Sequence, residues 1–366
     1  MNEMFDIFLI VPPGLEQPLA EEARASGFKV TSIIKGGVNL FGDWSEVWRA
    51  NVALRGATRV LVRLVEFRAQ HLAQLDKRAR KLPWGDWLRS DVAIKVEATC
   101  RKSKIYHDRA AAQRIETAIT ETLGAAVSKD AALTLKVRIE DNVVTISLDT
   151  SGEALHKRGH KAQVNKAPMR ETLAANFLRL AGFTGAESVY DPMCGSGTFP
   201  IEAAEIASQM QPGRSRSFAF EHLASYDAAA FEALKTEASA TPFRFFGSDR
   251  DAGAIKMSRA NAERAGVAHL AHFEAKSISD ITPPDAPPGL VIINPPYGAR
   301  IGNKKPLFGL YGSFGKVMLD RFKGWRVAVI TSDPGLAKAT SLPISATSQG
   351  IDHGGIRIKL YQTDAL

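Results

Sequence analysis

The stretch Ser188-Val189-Tyr190-Asp191-Pro192-Met193-Cys194-Gly195-Ser196-Gly197-Thr198 places a glycine-rich loop between a predicted strand, Ser188–Asp191, and a predicted helix, Phe199–Ser208. Doubly wound α/β sheets bind nucleotides at such a loop. Gly195 and Gly197 lack a Cβ, so the backbone can approach a ligand closely. The stretch therefore predicts a cofactor site in an α/β domain, and a tight structural turn is the alternative.

The residues of this loop also indicate the kind of ligand. Asp191 supplies an acceptor that suits an ammonium group. A phosphate site would combine a helix amino terminus with a lysine, but no Gly-Lys-Ser/Thr follows here. A cationic cofactor without phosphate is the better match.

The pattern around the loop is that of a parallel sheet with helices on both faces. It begins at Met169 with a predicted helix at Arg170–Ala181. Further predicted strands are Arg244–Ser248, Leu290–Asn294, Arg326–Thr331 and a terminal strand at Gly355–Gln362. Asp249 follows one of them and is the preferred ribose ligand. A solvated acidic side chain is the alternative for Asp249.

A third feature, Asn294-Pro295-Pro296-Tyr297-Gly298, follows the apolar run that ends at Ile293. The Asn294 side-chain oxygen and the Pro295 carbonyl can accept the hydrogens of an exocyclic amine while the amine is methylated. Pro296 helps to fix the backbone, and Tyr297 offers a flat face for an extruded base. The motif predicts amino-methyl transfer and leaves DNA, RNA and protein open as acceptors. The alternative is a rigid turn with a buried tyrosine.

The amino-terminal half has a different organisation. The 366 residues exceed what one core usually organises, so two or three domains are expected. Mixed helix and strand signals predict an α+β module over 1–65 and a second over 66–155, with two helices on a small sheet. The polar and basic stretch 156–168 is predicted to be a linker, and the catalytic domain to cover 169–366.

Basic residues accompany aromatic ones in this half. The net charge of +8 raises the probability of a polyanionic partner. The candidate RNA-binding residues are Arg101, Lys102, Lys104, Tyr106, His107, Lys157, Arg158, Lys161, Lys166 and, after the catalytic motif, Arg300. Such a surface could contact phosphates and stack bases. A solvated basic face is the alternative.

Several classes of protein are disfavoured. Cys100 and Cys194 are too few for a disulfide framework or a four-ligand zinc site, so no metal is expected. The mixed polar amino terminus does not resemble a signal peptide, and no apolar run approaches the roughly 18 residues of a membrane span. We expect a cytoplasmic protein without a membrane partner.

The chain resembles the THUMP-domain RNA guanine-N2 methyltransferases. Asp191–Thr198 and Asn294–Gly298 look like motifs I and IV of class I amino-methyltransferases. The likeness also includes Ser103–His107, Leu155–His160 and Ala167–Ala175, and is strongest to the large-subunit rRNA enzymes, specifically the amino-terminal methyltransferase half of the fused bacterial protein.

The resemblance implies a ferredoxin-like region, a THUMP domain and a Rossmann-like methyltransferase domain whose final strand is antiparallel. It implies S-adenosylmethionine as the cofactor and guanine N2 as the acceptor, in 23S rRNA or alternatively in tRNA. A non-catalytic RNA-binding assembly factor is the alternative from another class. The implied cofactor-binding residues are Thr172, Asp191, Pro192, Cys194, Gly195, Gly197, Thr198, Asp249, Ser277, Asp280 and Asn294. Related sequences commonly have an acidic residue where Ser277 stands, and Asp280 follows three residues later.

Overall fold

The computed structural model describes residues 4–161, 169–297 and 305–366, which form two compact units. The first unit contains residues 4–11, Ala20–Leu155 and Arg216–Lys235. The second contains the described residues of Pro12–Leu19, His156–Ser215 and Thr236–Leu366. Within the described ranges, no helix is both long and apolar enough to cross a membrane.

The first unit is built on one seven-stranded sheet. Its strands are β1 (Phe5–Ile10), β2 (Val30–Ile34), β3 (Gly37–Gly42), β4 (Arg59–Arg68), β5 (Ile94–Arg101), β6 (Leu133–Glu140) and β7 (Val143–Asp149). Their order is β2-β3-β1-β4-β7-β6-β5, and every pair is antiparallel except β5 with β6. The boundary predicted at residue 65 lies within β4, because the two amino-terminal modules share this sheet.

Alternation along the strands sends apolar side chains to one face of that sheet, as the buried Phe5, Ile7 and Leu9 of β1 show. The chain's first helix, α1 (Glu16–Ala25), belongs to this unit from Ala20 onward. The helices that lie wholly within the unit's long central stretch are α2 (Trp44–Ala53), α3 (Leu72–Ala79), α4 (Trp84–Trp87) and α5 (Asp108–Leu123). Helix α5 buries residues at helical spacing, including Ala111, Ile115 and Ile119, and ends at Gly124, whose φ is +82°.

The stretch Arg216–Lys235 belongs to the first unit although the predicted catalytic domain, 169–366, encloses it in sequence. It forms a short 3₁₀ helix, η1 (Ala219–His222), and α8 (Ala228–Glu232). The ring of Phe220 lies 5.1 Å from that of Phe231 and 6.2 Å from that of Trp48 in α2. These aromatic contacts join the stretch to the core of the first unit.

The second unit has the expected Rossmann-like α/β sheet. Its strands are β8 (Val189–Asp191), β9 (Phe245–Asp249), β10 (Ala271–Ala275), β11 (Leu290–Ile293), β12 (Arg326–Thr331), β13 (Ile344–Thr347), β14 (Ile351–His353) and β15 (Ile356–Thr363). The order is β10-β9-β8-β11-β12-β15-β13, with β14 paired to β15. The first five are parallel, and β15 runs antiparallel to β12, as the resemblance implied.

Helices complete this unit: α6 (Glu171–Leu180), α7 (Thr198–Ala207), α9 (Ala252–Ala265), α10 (Lys305–Arg321) and α11 (Pro334–Ala339). Buried Val291, Ile293, Phe314 and Val329 belong to the core between the sheet and α10. The strand order changes direction between β8 and β11, which makes this the switch point where α/β sheets bind ligands. The carboxyl ends of β8, β9 and β11 therefore meet at one edge.

Candidate active site

Asp191 ends β8 at the switch point and is only 2% exposed. Its Oδ1 accepts a hydrogen bond of 3.0 Å from the Met193 amide. Burial, with a smaller contribution from the nearby Asp249 carboxylate, raises the pKa of Asp191 to about 8. A carboxyl so strongly desolvated favours a cationic partner, which would stabilise its ionised form.

The glycine loop that follows is held from two sides. The Cys194 amide donates to the Ser248 carbonyl at 3.0 Å, and the Gly195 amide donates to Oδ2 of Asp249 at 3.1 Å. Helix α9 contributes Ser258, whose Oγ donates to the Gly195 carbonyl at 2.9 Å, and Asn261, whose Nδ2 donates to the Ser196 carbonyl at 3.0 Å. The loop conformation is therefore fixed by the protein itself.

The two glycines of the loop have different reasons for lacking a side chain. Both have positive φ, +54° at Gly195 and +82° at Gly197. A Cβ on Gly195 would meet no atom within 4 Å, so the space above it is open. A Cβ on Gly197 would lie 3.0 Å from Ser258 and 3.1 Å from the Phe273 ring. Gly195 thus borders open space, while Gly197 permits close packing.

The other predicted cofactor residues flank this loop. Thr172 is buried in the first turn of α6, and Thr198 is the first residue of α7. Pro192 and Cys194 are both buried. Burial raises the pKa of the Cys194 thiol well above its usual value. That thiol stays protonated at neutral pH and is not a nucleophile.

Ser277 and Asp280 lie just beyond β10, next to Asp249, since the Lys276 amide donates to the Asp249 carbonyl at 3.0 Å. The Ser277 hydroxyl donates to Oδ2 of Asp280 at 2.5 Å. This bond and a second from Ser279 hold the pKa of Asp280 below its usual range. Asp280 is therefore ionised and hydrogen-bonded by its neighbours. Its contact with adenine stays a prediction.

The Asn294 motif begins directly after β11. The Oδ1 atom of Asn294 is buried and has no hydrogen-bond partner among the described residues. A buried acceptor without a donor is costly unless another molecule supplies the donor. Pro295 is buried beside it, while Pro296 is exposed and its carbonyl accepts a 3.4 Å hydrogen bond from the Tyr311 hydroxyl of α10.

Tyr297 is half-buried and packs against the core under α10. Burial raises the pKa of Tyr297 to about 12, so its hydroxyl is neutral. Base stacking by Tyr297 stays a prediction. Gly298 and Arg300 lie outside the described residues.

The structure contradicts two of the predicted RNA contacts. Arg158 is 1% exposed and pairs with Glu202 at 3.0 Å, so it cannot reach a phosphate. Lys161 is also turned inward, where its Nζ donates to the Met169 carbonyl and to Oγ1 of Thr198, both at 2.8 Å. These two basic residues, which contributed to the prediction of an exposed linker, instead form buried ion pairs. Lys157 is exposed, and Lys166 lies outside the described residues.

The remaining predicted RNA residues form an exposed loop between β5 and α5. Arg101, Lys102 and Lys104 are exposed, as is Tyr106 at 73%, and the Tyr106 ring lies 4.3 Å from that of His107. We call residues 101–107 the basic loop.

The basic loop is held in place by one buried side chain and by hydrogen bonds to Asn142. Ile105 is buried, and the Ser103 hydroxyl accepts from the Asn142 amide at 3.0 Å. The Asn142 side chain in turn accepts from the Lys104 amide at 2.9 Å. Lys102 and Asn142 both have positive φ, which the bracing maintains. A rigid loop that exposes basic and aromatic groups fits a polyanion with unpaired bases.

Some residues of the site were not found from the sequence. Ser258 and Asn261 stand three apart on α9, a spacing that places them on one helix face. That spacing alone does not indicate that the face meets the glycine loop. Tyr311 carries no local signal, because it reaches Pro296 only through the packing of α10. In the described part of the chain, no cluster of three or more His, Cys, Asp or Glu side chains could hold a metal ion.

Comparison with known proteins gives family matches to three successive parts of the chain. Residues 158–352 match the RMKL-like methyltransferase domain, residues 6–61 the RlmL ferredoxin-like domain, and residues 69–149 the THUMP domain. A curated relative, ribosomal RNA large subunit methyltransferase K/L of Syntrophotalea carbinolica, is 36% identical over 92% of this chain. The alignment covers 50% of that relative, so the chain spans about half its length.

Two solved structures share the whole fold. SMU.472, assigned as a methyltransferase and solved with SAH (S-adenosylhomocysteine), is 25% identical with a TM-score of 0.91, over 100% of this chain and 99% of that one. A Listeria monocytogenes protein described as a predicted N6-adenine-specific DNA methylase is 30% identical with a TM-score of 0.90, over 100% and 97%. Because the family domain matches more than half of its residues, this chain belongs to the RMKL-like methyltransferase family.

Proposed function

We propose that the chain transfers a methyl group from S-adenosylmethionine to N2 of a guanine in structured RNA, specifically 23S rRNA, in the cytoplasm. The observation that carries the proposal is the buried Oδ1 of Asn294, which has no donor within the described residues and lies at the switch point. An exocyclic amine has the hydrogens that this acceptor lacks.

The residues present fit the cofactor. Asp191 is a buried carboxyl suited to an ammonium group, Asp249 stands where ribose is bound in such folds, and Gly195 leaves open space above the loop. Bound S-adenosylmethionine supplies an electrophilic methyl group on a sulfonium. SMU.472, which shares the fold, was solved with SAH.

The chain's own residues would act on the acceptor amine. Asn294 Oδ1 and the Pro295 carbonyl accept its two hydrogens, which turns the nitrogen lone pair toward the methyl group. The N–C bond forms as the S–C bond breaks, and the methylated amine then releases a proton to water. Neither Tyr297 nor Cys194 serves as a base, because burial raises the pKa of both and keeps them protonated. Acceleration therefore comes from orientation and from hydrogen bonds to the amine.

The accessory regions favour RNA as the substrate. The basic loop lies in the stretch that matches the THUMP domain, and the curated relative is named for ribosomal RNA. The basic loop would equally serve a tRNA guanine-N2 methyltransferase or a non-catalytic RNA-binding assembly factor. The description of the Listeria protein adds DNA adenine as an alternative acceptor. One assay separates these alternatives.

The assay measures transfer of labelled methyl groups from S-adenosylmethionine to unmodified 23S rRNA, tRNA and duplex DNA. We expect incorporation into 23S rRNA above the other two. Asn294→Leu, which keeps the size and removes the acceptor, should lower kcat by about a hundredfold or more, whereas Asn294→Asp keeps an acceptor and part of the rate. Incorporation into tRNA or DNA alone would overturn the proposed substrate, and full activity of Asn294→Leu would overturn the proposed role of Asn294.

A further inference from the structure

Lys161 is a buried lysine that the proposed reaction does not yet use. Its side chain is 10% exposed. Its Nζ donates to the Met169 carbonyl and to Oγ1 of Thr198, each at 2.8 Å, and lies 3.3 Å from Oε1 of Glu171. An ammonium group has three protons, and these are three acceptors. All three acceptors therefore converge on one cation.

Two of the acceptors begin the helices that flank the cofactor site. Glu171 is the first residue of α6 and immediately precedes Thr172. Thr198 is the first residue of α7 and immediately follows Gly197. The two helix starts are far apart in sequence, and the Lys161 ammonium group contacts the first residue of each.

Stability alone gives little reason to bury this amine. Burial lowers the pKa of Lys161, although the Glu171 carboxylate partly offsets this effect. Buried ion pairs commonly contribute no more to stability than apolar residues of the same volume, and in some proteins they specify the arrangement of the groups that they join. Here the groups joined are the two edges of the cofactor site.

We propose that Lys161 is a positioning residue: by binding Glu171 and Thr198 together, it holds the first turns of α6 and α7 in the arrangement that binds the cofactor. This inference rests on the proposed function. The proposed role of Lys161 concerns affinity for the cofactor, because its hydrogen bonds are to Met169, Thr198 and Glu171 and not to the groups that would bind the substrate amine.

The test uses Lys161→Met, which keeps the length and removes the charge and the donors. SAH binding is measured by titration calorimetry, and KM and kcat by methyl transfer. We expect the dissociation constant of SAH and the KM for the cofactor to rise about tenfold or more. We expect kcat to stay within about threefold and the KM for RNA to be unchanged. Hydrogen exchange without cofactor should quicken at the first turns of α6 and α7 and not at α11.

A second pair of variants covers the case in which Lys161→Met does not fold. Glu171→Leu removes one acceptor and roughly keeps the size, so it should share the binding defect, while Glu171→Gln keeps an acceptor oxygen and should bind SAH like the wild type. The double variant Lys161→Met/Glu171→Leu should bind no more weakly than Lys161→Met alone, because the two residues act through one contact.

The outcomes are distinguishable. If the wild-type chain does not bind SAH, the proposed function itself fails. If the wild type binds SAH and both Lys161→Met and Glu171→Leu bind it equally well, the proposed function stands and the positioning role is wrong. A lower melting temperature with unchanged affinity would likewise reduce Lys161 to a stabilising residue and overturn the proposal.

Discussion

Binding of the cofactor should expel a proton from Asp191. Burial and the neighbouring Asp249 raise the pKa of Asp191 to about 8. At pH 7 the protonated form then outnumbers the ionised form by about ten to one, because each pH unit below the pKa is a factor of ten. An ammonium group needs the ionised form, so binding at pH 7 should release about 0.9 proton from this carboxyl.

Titration calorimetry with SAH measures this directly. The observed enthalpy at pH 7, plotted against the ionisation enthalpy of several buffers, gives the number of protons released as its slope. The dissociation constant should also fall about tenfold between pH 6 and pH 7, where the carboxyl must lose its proton to bind. Asp191→Asn keeps the shape without a titrating proton, so it should bind more weakly, release almost no proton and show little dependence on pH over this range.

The same shift affects stability with a defined sign. The folded-state pKa lies above the unfolded value, so the folded chain retains a proton that the unfolded chain loses, and stability should decline as the pH rises from about 4 through 8. Asp191→Asn should flatten that decline. A proton release near zero in the wild type would show that Asp191 is already ionised, and equal release in Asp191→Asn would assign the proton to another group. Either result refutes the reasoning.

Three further predictions concern RNA binding and stability. Tyr106→Ala should weaken RNA binding by about 5- to 150-fold, and Lys102→Ala should reduce the salt dependence by about one counterion, as measured by filter binding at several salt concentrations. Lys129→Ala is the control, because Lys129 lies near the opposite end of β5, about 23 Å away at 3.3 Å per residue, and should change neither quantity. Arg158→Met should lower the urea stability by about 3–5 kcal/mol because it leaves Glu202 buried and charged, and adding Glu202→Gln should recover part of the loss; an unchanged midpoint would contradict the pairing. Gly315→Ala should destabilise strongly, since its Cβ would lie 1.7 Å from the Thr340 carbonyl oxygen, whereas Gly309→Ala in the same helix meets nothing within 4 Å and should stabilise by about 1 kcal/mol; similar melting temperatures for the two would contradict the packing of α10.

Local sequence signals predicted the strands that carry the site. Arg326–Thr331 was predicted with the bounds that the structure has, and Asp191, Asp249 and Asn294 do end or follow parallel strands that are near one another in the sheet. Each signal lies in a few consecutive residues, an apolar run followed by a glycine, an acid or Asn-Pro. Such patterns depend on short-range rules that the sequence displays directly.

What the sequence did not reveal depends on long-range packing. Arg158 and Lys161 lie in a stretch whose composition is that of a solvated linker. They are buried because the fold places Glu202 next to Arg158, and Glu171 and Thr198 next to Lys161. The stretch Arg216–Lys235 joins the first unit through aromatic contacts to α2 that no local pattern indicates. The basic composition therefore indicated an exposed surface correctly at Lys157 and wrongly at Arg158 and Lys161.

The most direct test of the proposed reaction is the identity of the methylated nucleoside. Unmodified 23S rRNA is incubated with the chain and S-adenosylmethionine, digested to nucleosides and separated by liquid chromatography with mass spectrometry, with Asn294→Leu in parallel. We predict N2-methylguanosine in the wild-type reaction and a yield lower by about a hundredfold or more at equal time with Asn294→Leu. N6-methyladenosine in place of N2-methylguanosine, or no methylated nucleoside from a chain that binds SAH, would contradict guanine N2 as the acceptor.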